Sequence, residues 1–269
     1  MIKDLTIDLQ GGEHAVLLIH GLTGSPFEFN PLARKLHQNG FTVKGPCLAG
    51  HGQTLGDLTT TTWRDWYETV HVEFKELKKH YATVSVAGLC MGALLALYLA
   101  NEEGDEVSSI ATLSTTLFYD GWSLPWYKFL LPLFYLPPFK YLASYEERPP
   151  YGVKNERIRK KIEIALKKNT IAYSSFPTQS MHELFKLVKV VKKTVHKVKV
   201  PTLILHALED DVASIKNAEY IEKNIGSPIV RKVFLDNTYH MLPLDNQKER
   251  VAEETIRFFR ENIGPVGNF

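Results

Sequence analysis

Cys90 stands in the run Gly88-Leu89-Cys90-Met91-Gly92, entered by the apolar stretch Val84 to Ala87 and left by the helix-like stretch Ala93 to Leu97. A sharp strand-to-helix turn of this kind presents a nucleophile at its apex, here a thiol where a serine hydroxyl is usual. The flanking glycines have a steric reason. Side chains two positions either side of the apex would collide with the neighbouring strand and helix. A triad also needs an acid and a histidine. Thr202 to His206 reads as a strand leading into Ala207-Leu208-Glu209-Asp210-Asp211. A carboxylate just past a parallel strand lies where such sheets place their ligands. Asp210 is the expected acid, with Glu209 and Asp211 as alternatives. His240, one of ten histidines, follows the strand-like run that ends at Leu235. The order nucleophile, acid, histidine suits acyl transfer through a covalent intermediate.

Such chemistry needs donors for the oxyanion. One backbone N–H follows the nucleophile and one comes from the loop after an early strand. These are assigned to Met91 and to Leu22 in His20-Gly21-Leu22-Thr23-Gly24-Ser25. Gly21 and Gly24 let the backbone approach a substrate closely. His20 is expected to shape this loop by hydrogen bonding rather than to react. Cys47 is expected to be a loop or core thiol.

These residues must be positioned by regular elements. Ala15 to His20, Thr83 to Ala87, Ser109 to Leu113 and Thr202 to His206 are continuous apolar runs, as buried parallel strands are. Phe41 to Val43 and Val230 to Leu235 give weaker strand signals. Helical spacing covers Pro31 to Gln38, Trp63 to His80, Ala93 to Glu102, Ala218 to Asn224 and Lys248 to Asn262. The alternation predicts an α/β chain with a mostly parallel central sheet and helices on both faces.

Residues 117–196 break this alternation, so the chain is expected to be one domain with a core of 1–116 and 197–269 and a helical cap at 117–196. The cap opens on an aromatic, proline-interrupted stretch, Trp122 to Pro138, that disfavours one long helix. Two better helices follow. Ile158, Ile162 and Ala165 share a face in the first; Met181, Leu184, Phe185, Val188, Val191 and Val195 do so in the second. The insertion carries 14 lysines and arginines against 6 acidic residues, whereas the remainder carries 18 against 24. Its basic face is expected to attract anionic groups or touch a lipid surface transiently, and some of its aromatics to line an acyl pocket.

A net charge of +2 gives no case for a nucleic-acid partner. No apolar run reaches membrane-spanning length. The charged, alternating start, Met1 to Asp8, is unlike an export signal, which predicts a cytoplasmic protein with reduced thiols. No Cys/His spacing suggests a metal site, and the triad chemistry needs no cofactor.

Taken together, His20 to Ser25, Gly50-His51-Gly52, Thr62-Trp63-Arg64-Asp65-Trp66, the cysteine elbow, the Asp210 loop and Tyr239-His240 with Leu242 to Asp245 resemble the α/β-hydrolase superfamily. The resemblance is to small bacterial carboxylesterases related to monoacylglycerol lipases. It implies Cys90, Asp210 and His240 as catalytic residues, Leu22 and Met91 as oxyanion donors, a capped fold, and an acyl ester or lipid substrate. The departure is cysteine in place of serine. Acyl transfer or thioester cleavage through Cys90, and a non-catalytic ligand-binding relative, are the other readings.

Overall fold

The computed structural model describes residues 5–123, 144–167 and 172–263. Its strands are β1 (Ile7–Leu9), β2 (His14–Ile19), β3 (Thr42–Gly45), β4 (Thr83–Leu89), β5 (Ser109–Leu113), β6 (Ser144–Glu146), β7 (Ser175–Pro177), β8 (Thr202–Ala207) and β9 (Val230–Leu235). The α-helices are α1 (Asn30–Gln38), α2 (Leu55–Thr60), α3 (Trp63–His80), α4 (Met91–Glu103), α5 (Glu156–Lys167), α6 (Thr178–Thr194), α7 (Lys216–Asn224) and α8 (Lys248–Glu261).

Seven strands form one sheet in the order β1-β3-β2-β4-β5-β8-β9. Every pairing is parallel except β1 with β3. Side chains alternate between its faces, as strand geometry requires. Ala15, Leu17 and Ile19 join α3, α4, α6 and α7 in one buried cluster. Val16 and Leu18 join α1 and α8 in another. The sheet is thus covered on both sides, which explains its near-continuous apolar strands.

Helix α3 shows how sequence sets an element. Asp65 accepts hydrogen bonds from the Thr62 N–H at 2.8 Å and the Thr62 hydroxyl at 2.7 Å, fixing the first turn. Trp63, Trp66, Val70, Phe74 and Leu77 then recur at helical spacing and are buried. Full burial of such a side chain contributes about 2 kcal/mol. Trp66 also sets its ring edge-on to His51, 6.0 Å between centroids, which links this helix to the site.

The predicted strands and helices of the core are present at close to the expected bounds. Three small elements lacked a sequence reading: the edge strand β1, the six-residue α2, and the two-stranded sheet β6-β7. Three-residue strands are too short for periodicity to register.

Between β5 and β8, α6 packs against α4 and α3. Met181, Leu184, Val188, Val191 and Val195 belong to the same buried cluster as α4. Ile162 and Leu166 of α5 line the pocket described below. The stretch 124–138, where prolines argued against one long helix, lies outside the described residues. Among the described residues, no helix is long and apolar enough to cross a membrane. No group of three or more His, Cys, Asp or Glu side chains among them is placed to hold a metal ion.

Candidate active site

Strand β4 delivers Cys90 to the start of α4 at φ 57° and ψ −111°, a sparsely populated region for a non-glycine residue. Neighbouring structure holds it there. The Cys90 N–H donates to the Leu113 carbonyl at the end of β5, 2.9 Å away. The two glycines are sterically required. A Cβ on Gly88 would lie 2.1 Å from the Gly92 carbonyl oxygen, and one on Gly92 would lie 1.9 Å from that of Ile19. The thiol rests at the N-terminus of α4, where the positive end of the helix dipole favours an anion.

The loops after β8 and β9 bring two further groups together. His240 Nδ1 is 2.9 Å from each carboxylate oxygen of Asp210. Asp210 Oδ1 also accepts from the amides of Val212 at 2.9 Å and Ala213 at 2.8 Å. The alternatives point elsewhere. Glu209 pairs with Lys154 at 2.6 Å. Asp211 accepts from the backbone amides of Gly152 at 3.3 Å and His240 at 3.4 Å. Burial works to raise the Asp210 pKa, but the charge and hydrogen bond of His240 outweigh it and hold the carboxyl below its ordinary value. Burial likewise opposes the His240 imidazolium. The Asp210 charge and the nearby Cys90 overcome this and hold His240 well above the ordinary histidine value. His240 Nε2 is buried, and Cys90, through its charge and a side-chain hydrogen bond, helps to hold the imidazolium.

The loop after β2 carries Leu22. His20 Nε2 accepts from the Leu48 N–H at 3.1 Å, so the ring proton sits on Nδ1, which donates to the Gly21 carbonyl at 2.8 Å. Burial keeps this ring far below the usual histidine pKa, hence neutral. His51 Nε2 makes a short contact with the Leu22 carbonyl. Glu28 completes the loop by accepting the Gly21 N–H at 2.9 Å. These contacts fix the Gly21–Leu22 peptide, and both residues line the cavity over Cys90. The Met91 N–H is the first of α4 and has no acceptor within its helix.

A cavity of about 220 Å³ lies over Cys90 and His240. Phe27, Ile162, Phe176, Met181 and Leu244 make much of its wall, but three carboxyls also face it: Glu28, Glu147 and Asp211. Burial pushes Glu28 up to about 7, against the opposing Gly21 amide and His240 charge. Burial, reinforced by Glu28 and Asp211, pushes Glu147 up to about 8. Asp211 is raised for the same first reason. At neutral pH the pocket therefore carries less negative charge than its composition suggests.

Sequence reading missed Glu28, Glu147 and Thr116, whose Oγ1 lies 3.3 Å from Cys90 Sγ. Only Thr116 had a usable signal, since it follows the C-terminal end of a parallel strand. Glu28 and Glu147 reach the site through tertiary packing alone.

The fold agrees with comparisons to known proteins. Residues 12–247 match the family described as Hydrolase_4, serine aminopeptidase S33. The thermostable monoacylglycerol lipase of Bacillus sp. (strain H-257) is 30% identical over 266 residues, 95% of this chain and 94% of that protein. The carboxylesterase of Bacillus subtilis (strain 168) is 22% identical over 253 residues, 94% of each chain. A solved structure described under "LipS and LipT, two metagenome-derived lipolytic enzymes" has a TM-score of 0.84 at 27% identity, over 96% of this chain and 98% of that one. The monoacylglycerol lipase of Paleococcus ferrophilus has a TM-score of 0.81 at 16% identity, over 96% and 98%, a likeness of fold alone. With the family matched over most of its length and the sheet built in this order, the chain belongs to the serine aminopeptidase S33 (Hydrolase_4) family and has the α/β-hydrolase fold.

Proposed function

We propose that the protein is a carboxylic ester hydrolase, of the carboxylesterase or monoacylglycerol lipase type, working through a thioester on Cys90. The observation that carries this reading is the Asp210–His240 pair set beside the elbow thiol at the floor of a mostly apolar cavity. The names of its relatives, a monoacylglycerol lipase and a carboxylesterase, support the substrate class.

The proposed mechanism uses these groups as follows. The Cys90 thiolate attacks the acyl carbonyl carbon. The resulting oxyanion is held by the N–H groups of Leu22 and Met91, each worth about 3 kcal/mol in comparable sites. The tetrahedral intermediate collapses, the C–O bond breaks, and His240 Nε2–H gives its proton to the leaving alcohol. Water then loses a proton to His240 as it attacks the thioester carbonyl. The acid departs, and Cys90 leaves as thiolate beside a protonated His240. Asp210 holds the imidazole in orientation throughout.

Residues 117–196 act in this reading as the cap, with α6 anchored to the core. Arg157, Lys160, Lys161 and Ile164 are exposed on α5 and suit a transient contact with a lipid surface. Cys47 and Cys90 are both thiols, which suits a reducing, cytoplasmic location. A second reading, acyl transfer or thioester cleavage, is favoured by the thiol itself, because a thioester accepts alcohols and amines as well as water.

The test is intact mass during reaction with p-nitrophenyl butyrate, with released nitrophenol followed in parallel. An acyl adduct on Cys90 with continued release is expected. Absence of both adduct and release would sink the proposal. Added alcohol capturing acyl groups beyond its share relative to water would favour the second reading.

A further inference from the structure

Cys90 Sγ has a second polar neighbour besides His240: Thr116 Oγ1, at 3.3 Å. Thr116 is fully buried, and its hydroxyl also lies 3.3 Å from the Ser114 carbonyl. A hydroxyl has a single proton to donate, so only one of these acceptors can receive it at a time.

The placement of this hydroxyl is built into the backbone. Ser114 takes φ 44°, turning the chain as it leaves β5. On one side, the Ser114 N–H bonds the Leu205 carbonyl at 2.9 Å, and the Leu113 carbonyl accepts from Cys90 itself. On the other, the amides of Leu117 and Phe118 both donate to Asn217 Oδ1 at 2.7 Å. Thr116 is therefore clamped between the elbow and α7. The neighbouring hydroxyls of Ser114 and Thr115 are buried without partners among the described residues. Of three consecutive hydroxyls, only the one aimed at the sulfur is satisfied.

We propose that Thr116 is a positioning residue for the nucleophile. Its hydroxyl donates to the Cys90 thiolate and fixes the position of the sulfur beside His240. When the sulfur becomes a neutral thioester, the proton turns to the Ser114 carbonyl. The thiolate needs such a donor because of its surroundings. Glu28 from the loop after β2, Asp211 from the loop after β8, and Glu147 from the insertion share its pocket. Each one, when ionised, opposes negative charge on sulfur. Asp210 stands behind His240, and His240 is the cation that faces the thiol. A charge-assisted hydrogen bond from Thr116 adds to that attraction without adding a titratable group.

The inference rests on Cys90 being the nucleophile of the proposed hydrolase. Its test is therefore made first without any ester. The rate of Cys90 carbamidomethylation by iodoacetamide is followed by peptide mass against pH, in wild type, Thr116→Val, Thr116→Ala and Thr116→Ser. Peptide mapping separates Cys90 from Cys47. Both variants lacking the hydroxyl are expected to move the alkylation midpoint upward by about one pH unit, and Thr116→Ser to restore it. In p-nitrophenyl butyrate turnover they are expected to lose about tenfold in kcat, KM changing little. Midpoints that coincide in wild type and in whichever hydroxyl-free variant folds would overturn the proposal. A shifted midpoint in a protein that cleaves no ester would keep this role for Thr116 and overturn the hydrolase reading instead.

Discussion

Asp210 meets His240 with both carboxylate oxygens at 2.9 Å from Nδ1, while its Oδ1 is also gripped by the amides of Val212 and Ala213. The carboxylate cannot turn away without abandoning two backbone donors, so the imidazole is oriented by a rigid partner. Asp210→Asn removes the charge and presents an amide that forces the wrong ring tautomer. A loss in kcat of about 10³–10⁴-fold is expected, the scale known for triad aspartates. Asp211→Asn touches only the backbone of His240 and is expected to cost less than about tenfold. Glu209→Gln removes an exposed ion pair with Lys154 and is expected to leave turnover unchanged. Steady-state kinetics on the three variants checks the assignment, and the largest loss at Asp211 or Glu209 would refute it.

Glu28 should make stability depend on pH in a particular direction. Its folded pKa is raised from 4.5 to about 7, chiefly by burial. The folded state therefore binds more protons than the unfolded one between those values, and stability falls as pH rises through them. The full effect is about 3 kcal/mol. Glu28→Gln keeps an oxygen to accept the Gly21 N–H but carries no charge. Its thermal midpoint is expected to gain on wild type from pH 5 to about pH 7 and to level off above that. Parallel curves across that range would contradict the raised pKa. Gly24 is bound to the same side chain, since a Cβ there would lie 1.6 Å from Glu28 Oε1. Gly24→Ala is expected to displace the carboxyl and disturb the Leu22 loop.

What could be read in advance was what repeats or what a backbone demands. The parallel strands show as apolar runs because both sheet faces are covered. The elbow shows because Gly88 and Gly92 have carbonyl oxygens closer than a side chain allows. The placement of His20 just after β2 and of His240 in the loop after β9 was legible. Choosing Asp210 among three consecutive acids was not a matter of pattern, because only the loop's hydrogen bonds to Val212 and Ala213 decide which carboxylate points inward. Glu147 was illegible for another reason. It meets Glu28 and Asp211 across more than sixty residues of chain in either direction, and no local spacing encodes that meeting. The insertion's second helix followed its expected face closely, yet its role in covering α4 depends on where the chain returns to the sheet.

His51 supports the Leu22 peptide from behind and is itself backed by Trp66 of α3. Under the proposed mechanism its effect on turnover passes through the position of the Leu22 amide. His51→Ala is expected to lower kcat by about 10- to 100-fold, less than deleting an oxyanion donor outright, with KM changing little. A split of this kind separates a loss of transition-state support from a loss of binding. A variant whose KM rises while kcat holds would show that His51 serves the pocket wall instead.

Asp245 ties the histidine loop to the start of α5. Fully buried, it accepts from the amides of Tyr239 at 2.8 Å, Lys154 at 2.9 Å and Asn155 at 2.9 Å, and from the Thr238 hydroxyl at 3.1 Å. Four donors from two separate stretches of chain converge on one carboxylate. Asp245→Ala removes the acceptor of three part-buried backbone N–H groups. The cost is expected to be about 3 kcal/mol or more, a fall of roughly 6–12 °C in thermal midpoint for a chain of this size. Asp245→Asn keeps one acceptor oxygen but turns an NH2 group toward the remaining donors, so it should recover only part of the loss. Because Tyr239 precedes His240 directly, the histidine loop should loosen with it, and kcat should fall in the same order as stability. A midpoint within a degree or two of wild type in Asp245→Ala would mean that these amides find water or other acceptors, and that the insertion is held to the core by packing alone.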